Sequence, residues 1–168
     1  MAENPCADKD YDDDDSEDGE DFHVTTDMIE HGKAYISSDK ILTVLMCGFG
    51  NESLFPQYKK IWRPHGVGMI AELVIRDLYL KAKVRKTVRL LNSEKISTIE
   101  VISVEVIKSA QRMGNWTQFL SILECFARET SRCVYIECVN NPFLLSSLQR
   151  KNYIPFLASD PSTVFKKV

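Results

Sequence analysis

The stretch TIEVISVEVIKSAQRMGNWTQFLSILECFARE, residues 98–129, decides the reading of this chain. Over Thr98–Ile107, Ile99, Val101, Ser103 and Glu105 fall on one side, and Thr98, Glu100, Ile102, Val104 and Val106 on the other. Both sides are largely apolar, as expected of a central strand buried on two faces. Beyond Gly114, Trp116, Phe119, Leu120, Leu123, Phe126 and Ala127 recur at helical spacing. Gln111-Arg112-Met113-Gly114-Asn115 therefore joins a strand to a helix. The first amide N–H groups of such a helix lack internal partners, and the helix dipole adds partial positive charge, so the junction suits an anion. A glycine there lets the backbone approach a phosphate closely.

Downstream, Cys133–Val139 (CVYIECV) reads as a short apolar strand. Asn141-Pro142 opens a second helix with proline in its first turn, and Leu144, Leu145 and Leu148 form its apolar face. Tyr153–Leu157 and Ser162–Lys167 read as two strands joined at Ser159-Asp160-Pro161. Upstream, Met69–Leu80 and Val84–Leu91 are β-rich, with a turn at Asn92-Ser93-Glu94-Lys95. Asn51–Gly68 carries Pro56, Pro64, Gly66 and Gly68 and reads as loop, with a helical turn at PQYKKIW. Ile41–Cys47 (ILTVLMC) reads as a strand ending at Gly48-Phe49-Gly50, and Thr25 or Thr26 as the N-cap of a short helix through DMIEHGKAYI. Strands followed by strand–helix–strand–helix–strand–strand imply an α/β (α+β) domain: a mixed central sheet flanked by helices.

The 168 residues suffice for one domain with one sizeable core. No apolar run approaches the roughly 20 residues needed to cross a bilayer, so no membrane partner is expected. The acidic N-terminus is not a signal peptide. The five cysteines, Cys6, Cys47, Cys125, Cys133 and Cys138, show no metal-ligand spacing, and they suit reduced thiols of a cytoplasmic protein. The net charge of −3 hides an asymmetry: residues 1–22 hold eleven acidic residues and one lysine, the remainder thirteen acidic and twenty basic residues. The stretch DKDYDDDDSEDGED cannot bury apolar surface, and its charges repel. Residues 1–22 are thus expected to be a disordered acidic tail, available to a protein partner, and residues 23–168 a single domain. Lys81, Lys83 and Arg85 alternate along one strand, so one face of it is expected to be positive, a surface that nucleic acid, cofactor phosphates or the chain's own acidic tail could answer.

Residues 98–168 resemble the cofactor-binding half of the GNAT superfamily of acyl-CoA N-acyltransferases. That family's loop runs V-x-x-x-x-[QR]-x-x-G-x-[GA] after a central strand, and here Val106, Gln111 and Gly114 stand at matching intervals. Phe119 and Leu120 take the place of its leucine pair. Asn141 and Leu144 fit the first two marked positions of its N-x-x-A-x-x-x-Y helix. The chain departs from the pattern at Trp116, at Leu148 in place of the tyrosine that protonates departing CoA, and at Asn152-Tyr153 in place of Gly-Phe. The resemblance implies that Val106, Gln111, Arg112, Met113, Gly114, Asn115 and Asn141 bind acetyl-CoA or another acyl-CoA. It implies that strand Thr98–Ile107 diverges from Cys133–Val139 to admit the pantetheine arm and present the thioester carbonyl to a backbone amide. Glu100, eleven residues before Gln111, and Glu105 are the candidate bases for the attacking amine.

Three functions follow as expectations. The first is acetyl transfer to an amine of unspecified identity. The second is a catalytically silent GNAT-like binding or structural protein, of the kind known among phage proteins and virion components. The third is a nucleic-acid-associated protein. Fold analogy alone does not choose among them.

Overall fold

The computed structural model describes residues 28–30, 33–47 and 61–168. The acidic tail, the Gly48–Gly50 turn and the PQYKKIW turn, save Ile61 and Trp62, lie outside the described residues. The strands are β1 (Met28–Glu30), β2 (Lys33–Ile36), β3 (Arg63–His65), β4 (Gly68–Ile75), β5 (Leu80–Leu91), β6 (Glu94–Val106), β7 (Cys133–Ile136), β8 (Ile154–Leu157) and β9 (Asp160–Lys167). The helices are α1 (Ile41–Met46), α2 (Asn115–Glu129) and α3 (Pro142–Arg150). One mixed sheet runs β1-β2-β4-β5-β6-β7-β9-β8, with β3 also paired to β4. Only β2–β4 and β6–β7 are parallel among the described strands.

Two sequence expectations are corrected. Within DMIEHGKAYI, residues 28–30 form β1 and residues 33–36 form β2 instead of a helix, while Thr25 and Thr26 lie outside the described residues. In β2, Ala34 and Ile36 alternate into the core, and the strand is held by parallel pairing with β4. ILTVLMC forms α1 instead of a strand. Its buried residues, Ile41, Val44 and Leu45, stand three and four apart, and this stripe packs into the main core with α2. The β-rich run Met69–Leu80 divides at a turn, Arg76–Tyr79, closed by Tyr79 N–H donating to the Arg76 carbonyl at 2.9 Å.

The main core lies on one sheet face. Phe119, Leu120, Leu123, Phe126 and Ala127 of α2 meet Ile99 and Val101 of β6, Val134 and Ile136 of β7, and Ala82 and Val84 of β5. Leu148 of α3 joins them, with Leu144 and Leu145 at its margin. Alternation sends Thr98, Glu100, Cys133 and Tyr135 to the opposite face. There Ile96, Cys133, Tyr135 and Phe165 form a smaller cluster, closed by Phe156 edge-on to Tyr135 and Phe165 at 5.0 and 5.6 Å.

Local chemistry sets the helix ends. The Asn141 side chain accepts from the N–H groups of Phe143 (2.9 Å) and Leu144 (3.2 Å), and Pro142 follows at the first helical position. The same helix stops at Asn152, whose φ of 66° places it in the left-handed region. Asn152 N–H donates to the Gln149 carbonyl, and Tyr153 N–H to that of Leu148. That pair of bonds closes a Schellman turn, usually built on glycine, and asparagine is the side chain that best tolerates the position.

Candidate functional site

The sheet opens where β6 leaves β7. Their ladder runs from Thr98↔Cys133 to Val101↔Ile136, and Glu137 N–H adds a last bond to the Val101 carbonyl at 3.2 Å. Val139 then bonds to the Ser162 carbonyl of β9, while β6 continues to Val106. On its other side β6 pairs Val101 with Val84 and Ser103 with Lys83, leaving Ile102 over as a β-bulge. A bulge bends its strand and raises the local twist. The bulge and the end of the β6–β7 ladder therefore coincide, and the result is a gap between the carboxyl ends of two parallel strands. Helices α2 and α3 both start at that edge, the usual ligand crevice of an open α/β sheet.

The loop at the mouth of this gap is strained where it needs to be. Arg112 has φ 67° and Gly114 φ 84°. A Cβ added at Gly114 would meet nothing within 4 Å, so the backbone conformation, not crowding, calls for glycine. The Gln111 side chain donates to the Val106 carbonyl and that of Asn115 to the Ala110 carbonyl, each at 3.3 Å, tying the loop to the strand end. Among the described residues no side chain caps α2, whose first turn begins at Gly114. Gln111, Arg112, Met113 and Gly114 are exposed, and Val106 and Asn115 half-buried. The Trp116 ring packs against the core, 6.0 Å from that of Phe119.

Four charges gather at the base of the gap on the face away from the main core. Arg85 donates to Glu100 Oε2 from Nε (2.8 Å) and Nη2 (2.6 Å). Arg89 donates from Nε to Oε1 (2.7 Å) and from Nη2 to Oε2 (3.0 Å), and the Thr98 hydroxyl donates to Oε1 at 2.9 Å. Burial alone would raise the Glu100 carboxyl, but the bonds from Arg89 and Arg85 outweigh it and hold the group below the usual carboxylate range. A fully buried carboxylate with both oxygens so engaged is a poor proton acceptor. Both arginines also reach across β6 to Glu137 Oε1, at 2.6 and 2.7 Å. Sequence reasoning missed Glu137, because only the end of the β6–β7 ladder marks its position.

Glu105 lies elsewhere on that face. It is exposed, three residues beyond the bulge and so about 10 Å along the strand. With Lys33, Glu72, Lys81, Lys83 and Ser103 it lines an open groove of about 250 Å³. The stripe Lys81, Lys83 and Arg85 does share one face, but carboxylates answer it: Lys83 pairs with Glu72 at 3.2 Å, Lys81 stands opposite Glu105, and Arg85 binds Glu100 and Glu137. Asn141 serves its own helix as N-cap, and Leu148 is buried in the core.

A mixed sheet split between two parallel strands, with a loop and a helix N-terminus at the split, makes this an open mixed α/β domain with a crevice at one edge. No family model and no curated protein matches the sequence. Among solved structures, a mutant AtaT toxin bound to the C-terminus of the antitoxin AtaR and acetyl-CoA aligns over 53% of this chain, at 11% identity and a TM-score of 0.42. The aligned part spans 60% of that toxin's chain. A second structure of the toxin with the antitoxin C-terminus aligns over 73% of this chain and 77% of its own, at 11% identity and 0.45. The KacTA–DNA complex aligns over 70% and 80%, at 14% identity and 0.45.

Proposed function

We propose that this domain is an acyl-CoA-dependent N-acyltransferase that binds acetyl-CoA, or another acyl-CoA, in the gap between β6 and β7. One observation carries the reading: the bulge at Ile102, the end of the ladder at Val101↔Ile136 and the loop before α2 all lie at the same edge of the sheet. The pyrophosphate would sit on the amides at the start of α2, with Arg112 adding positive charge. Gln111 and Asn115 hold the loop in shape for it, and Val106 and Met113 flank the pantetheine. The arm would enter the gap and bring its thioester carbonyl to the strand amides around Ile102, which stabilise the oxyanion. An amine then attacks directly, and the leaving thiolate takes its proton from solvent, since Leu148 offers none.

A second reading, a GNAT-like binding protein without catalysis, is favoured by two features: the occupied oxygens of Glu100 and the buried Leu148. Acetyl-CoA titration followed by thiol release with an added amine separates the two. Binding with turnover supports the transferase, binding alone the silent protein, and no binding overturns the assignment of the gap.

A further inference from the structure

The charge cluster at the base of the gap contains one carboxylate that is not used up. Glu100 has five hydrogen bonds on its two oxygens and no exposed surface. Glu137 receives both its bonds on Oε1, and among the described residues no hydrogen bond reaches its Oε2. Its side chain keeps 26% of its surface open to solvent. Glu137 also sits at the fork itself, since its N–H makes the last bond between the two strands before they part. Glu105, about 10 Å further along β6, is held against the fork by nothing comparable.

We infer that Glu137 takes the proton from the attacking amine, an assignment that rests on the transferase reading of the gap. Arg85 and Arg89 are positioning residues. They anchor Oε1 from β5 across β6, which fixes the carboxylate and leaves Oε2 without a hydrogen bond among the described residues. Glu100 holds the two guanidinium groups in place from below. In the step itself the amine nitrogen attacks the thioester carbonyl, forming the C–N bond and breaking the C–S bond. The arriving ammonium first gives one proton to Oε2, directly or through one water, and Oε2 passes it to solvent, which frees the nitrogen lone pair for attack; the second nitrogen proton is lost as the C–S bond breaks and goes, through water, to the departing CoA sulfur. The products are the amide and CoA, with no oxidant or reductant needed. The chemistry implies an acceptor that arrives as a cationic primary amine, drawn to the acidic side chain at the fork.

The test uses the full chain, acetyl-CoA and two small probe amines at pH 7, with thiol release as readout. Methylamine is protonated at that pH and needs a base; hydroxylamine is largely neutral and needs one far less. Glu137→Gln keeps an oxygen for the two arginines, and an unchanged acetyl-CoA affinity shows that the variant folds. The expected result is a fall of about 100-fold or more with methylamine, and of no more than about threefold with hydroxylamine. Equal losses with both amines, or no loss with either, overturn the assignment. So does the same selective loss in Glu105→Gln instead of Glu137→Gln, or a wild-type protein that binds acetyl-CoA and acylates neither probe. A wild-type protein that does not bind acetyl-CoA overturns the reading of the gap instead, and that outcome is seen in the titration before any amine is added.

Discussion

Replacing Lys86 by methionine should stabilise the protein at neutral pH and flatten its stability profile above it. Lys86 lies on the core side of β5, 6% exposed, with Nζ 3.8 Å from the centroid of the Trp62 ring and 5.8 Å from that of Phe126. Burial pushes its ammonium from the ordinary 10.5 down to about 7. At about 1.36 kcal/mol per unit, that displacement sets an upper bound of about 5 kcal/mol on the cost of keeping Lys86 charged in the fold. The Trp62 ring offsets about 1–2 kcal/mol of it, and it is one of the contacts that bring the cost below that bound. Between pH 7 and 10.5 the unfolded chain binds the proton and the folded chain does not, so stability rises with pH across that window. Below pH 7 lysine is charged in both states, and the full cost is present. Cys47, the nearby thiol, is raised by burial and stays neutral through the lower part of the window. Urea unfolding of wild type and Lys86→Met at pH 6.5, 8 and 9 is the assay. The variant should be about 2–3 kcal/mol more stable at pH 6.5, with the difference shrinking as pH rises. Parallel profiles for the two proteins would refute the reasoning.

Three further outcomes are expected. Glu100→Gln leaves two arginines facing a neutral group at a buried site and should cost about 3 kcal/mol by urea unfolding. Because the carboxyl is held low, the stability it contributes is present above about pH 4.5 and lost as pH falls through its folded value, so wild type and variant should converge in acid. Asn141→Ala removes the cap of α3 and should cost about 1 kcal/mol in the same assay. Deleting residues 1–22 should leave the thermal midpoint within about 1 °C if the acidic tail is solvated, and a large drop would show that it docks on the body.

Legibility followed the kind of signal each segment carries. From Leu80 onward the chain is built on three long elements, β5, β6 and α2, followed by shorter ones joined by turns with explicit chemistry. The turn at Asn92 and Ser93, where φ is 50° and 70°, is one; Asn141-Pro142 and the loop at Gly114 are others. Each could be placed from sequence within a few residues. The N-terminal part could not. Six residues of α1 show little more than one turn of period, and their β-branched composition reads as strand. β1 and β2 are too short to alternate convincingly and owe their form to pairing with β4. At the site, spacing located the loop and the strand end but not the electrostatics. Glu100 looked like an available base because sequence does not reveal that Arg85 and Arg89, fifteen and eleven residues away, converge on it. The bulge at Ile102 has no sequence mark, since Val101-Ile102-Ser103 reads as ordinary strand. Glu137 was passed over for the same reason.

The measurement that bears most directly on the account is calorimetric titration of acetyl-CoA into the full chain and into Gly114→Glu. The substitution meets open space, so it should leave the domain folded at a strain cost of about 1–2 kcal/mol for a left-handed side chain, while setting a carboxylate against the pyrophosphate. The account predicts micromolar binding to the wild type that is lost in the variant. Absence of binding to the wild type, or equal affinity in a folded Gly114→Glu, would contradict it.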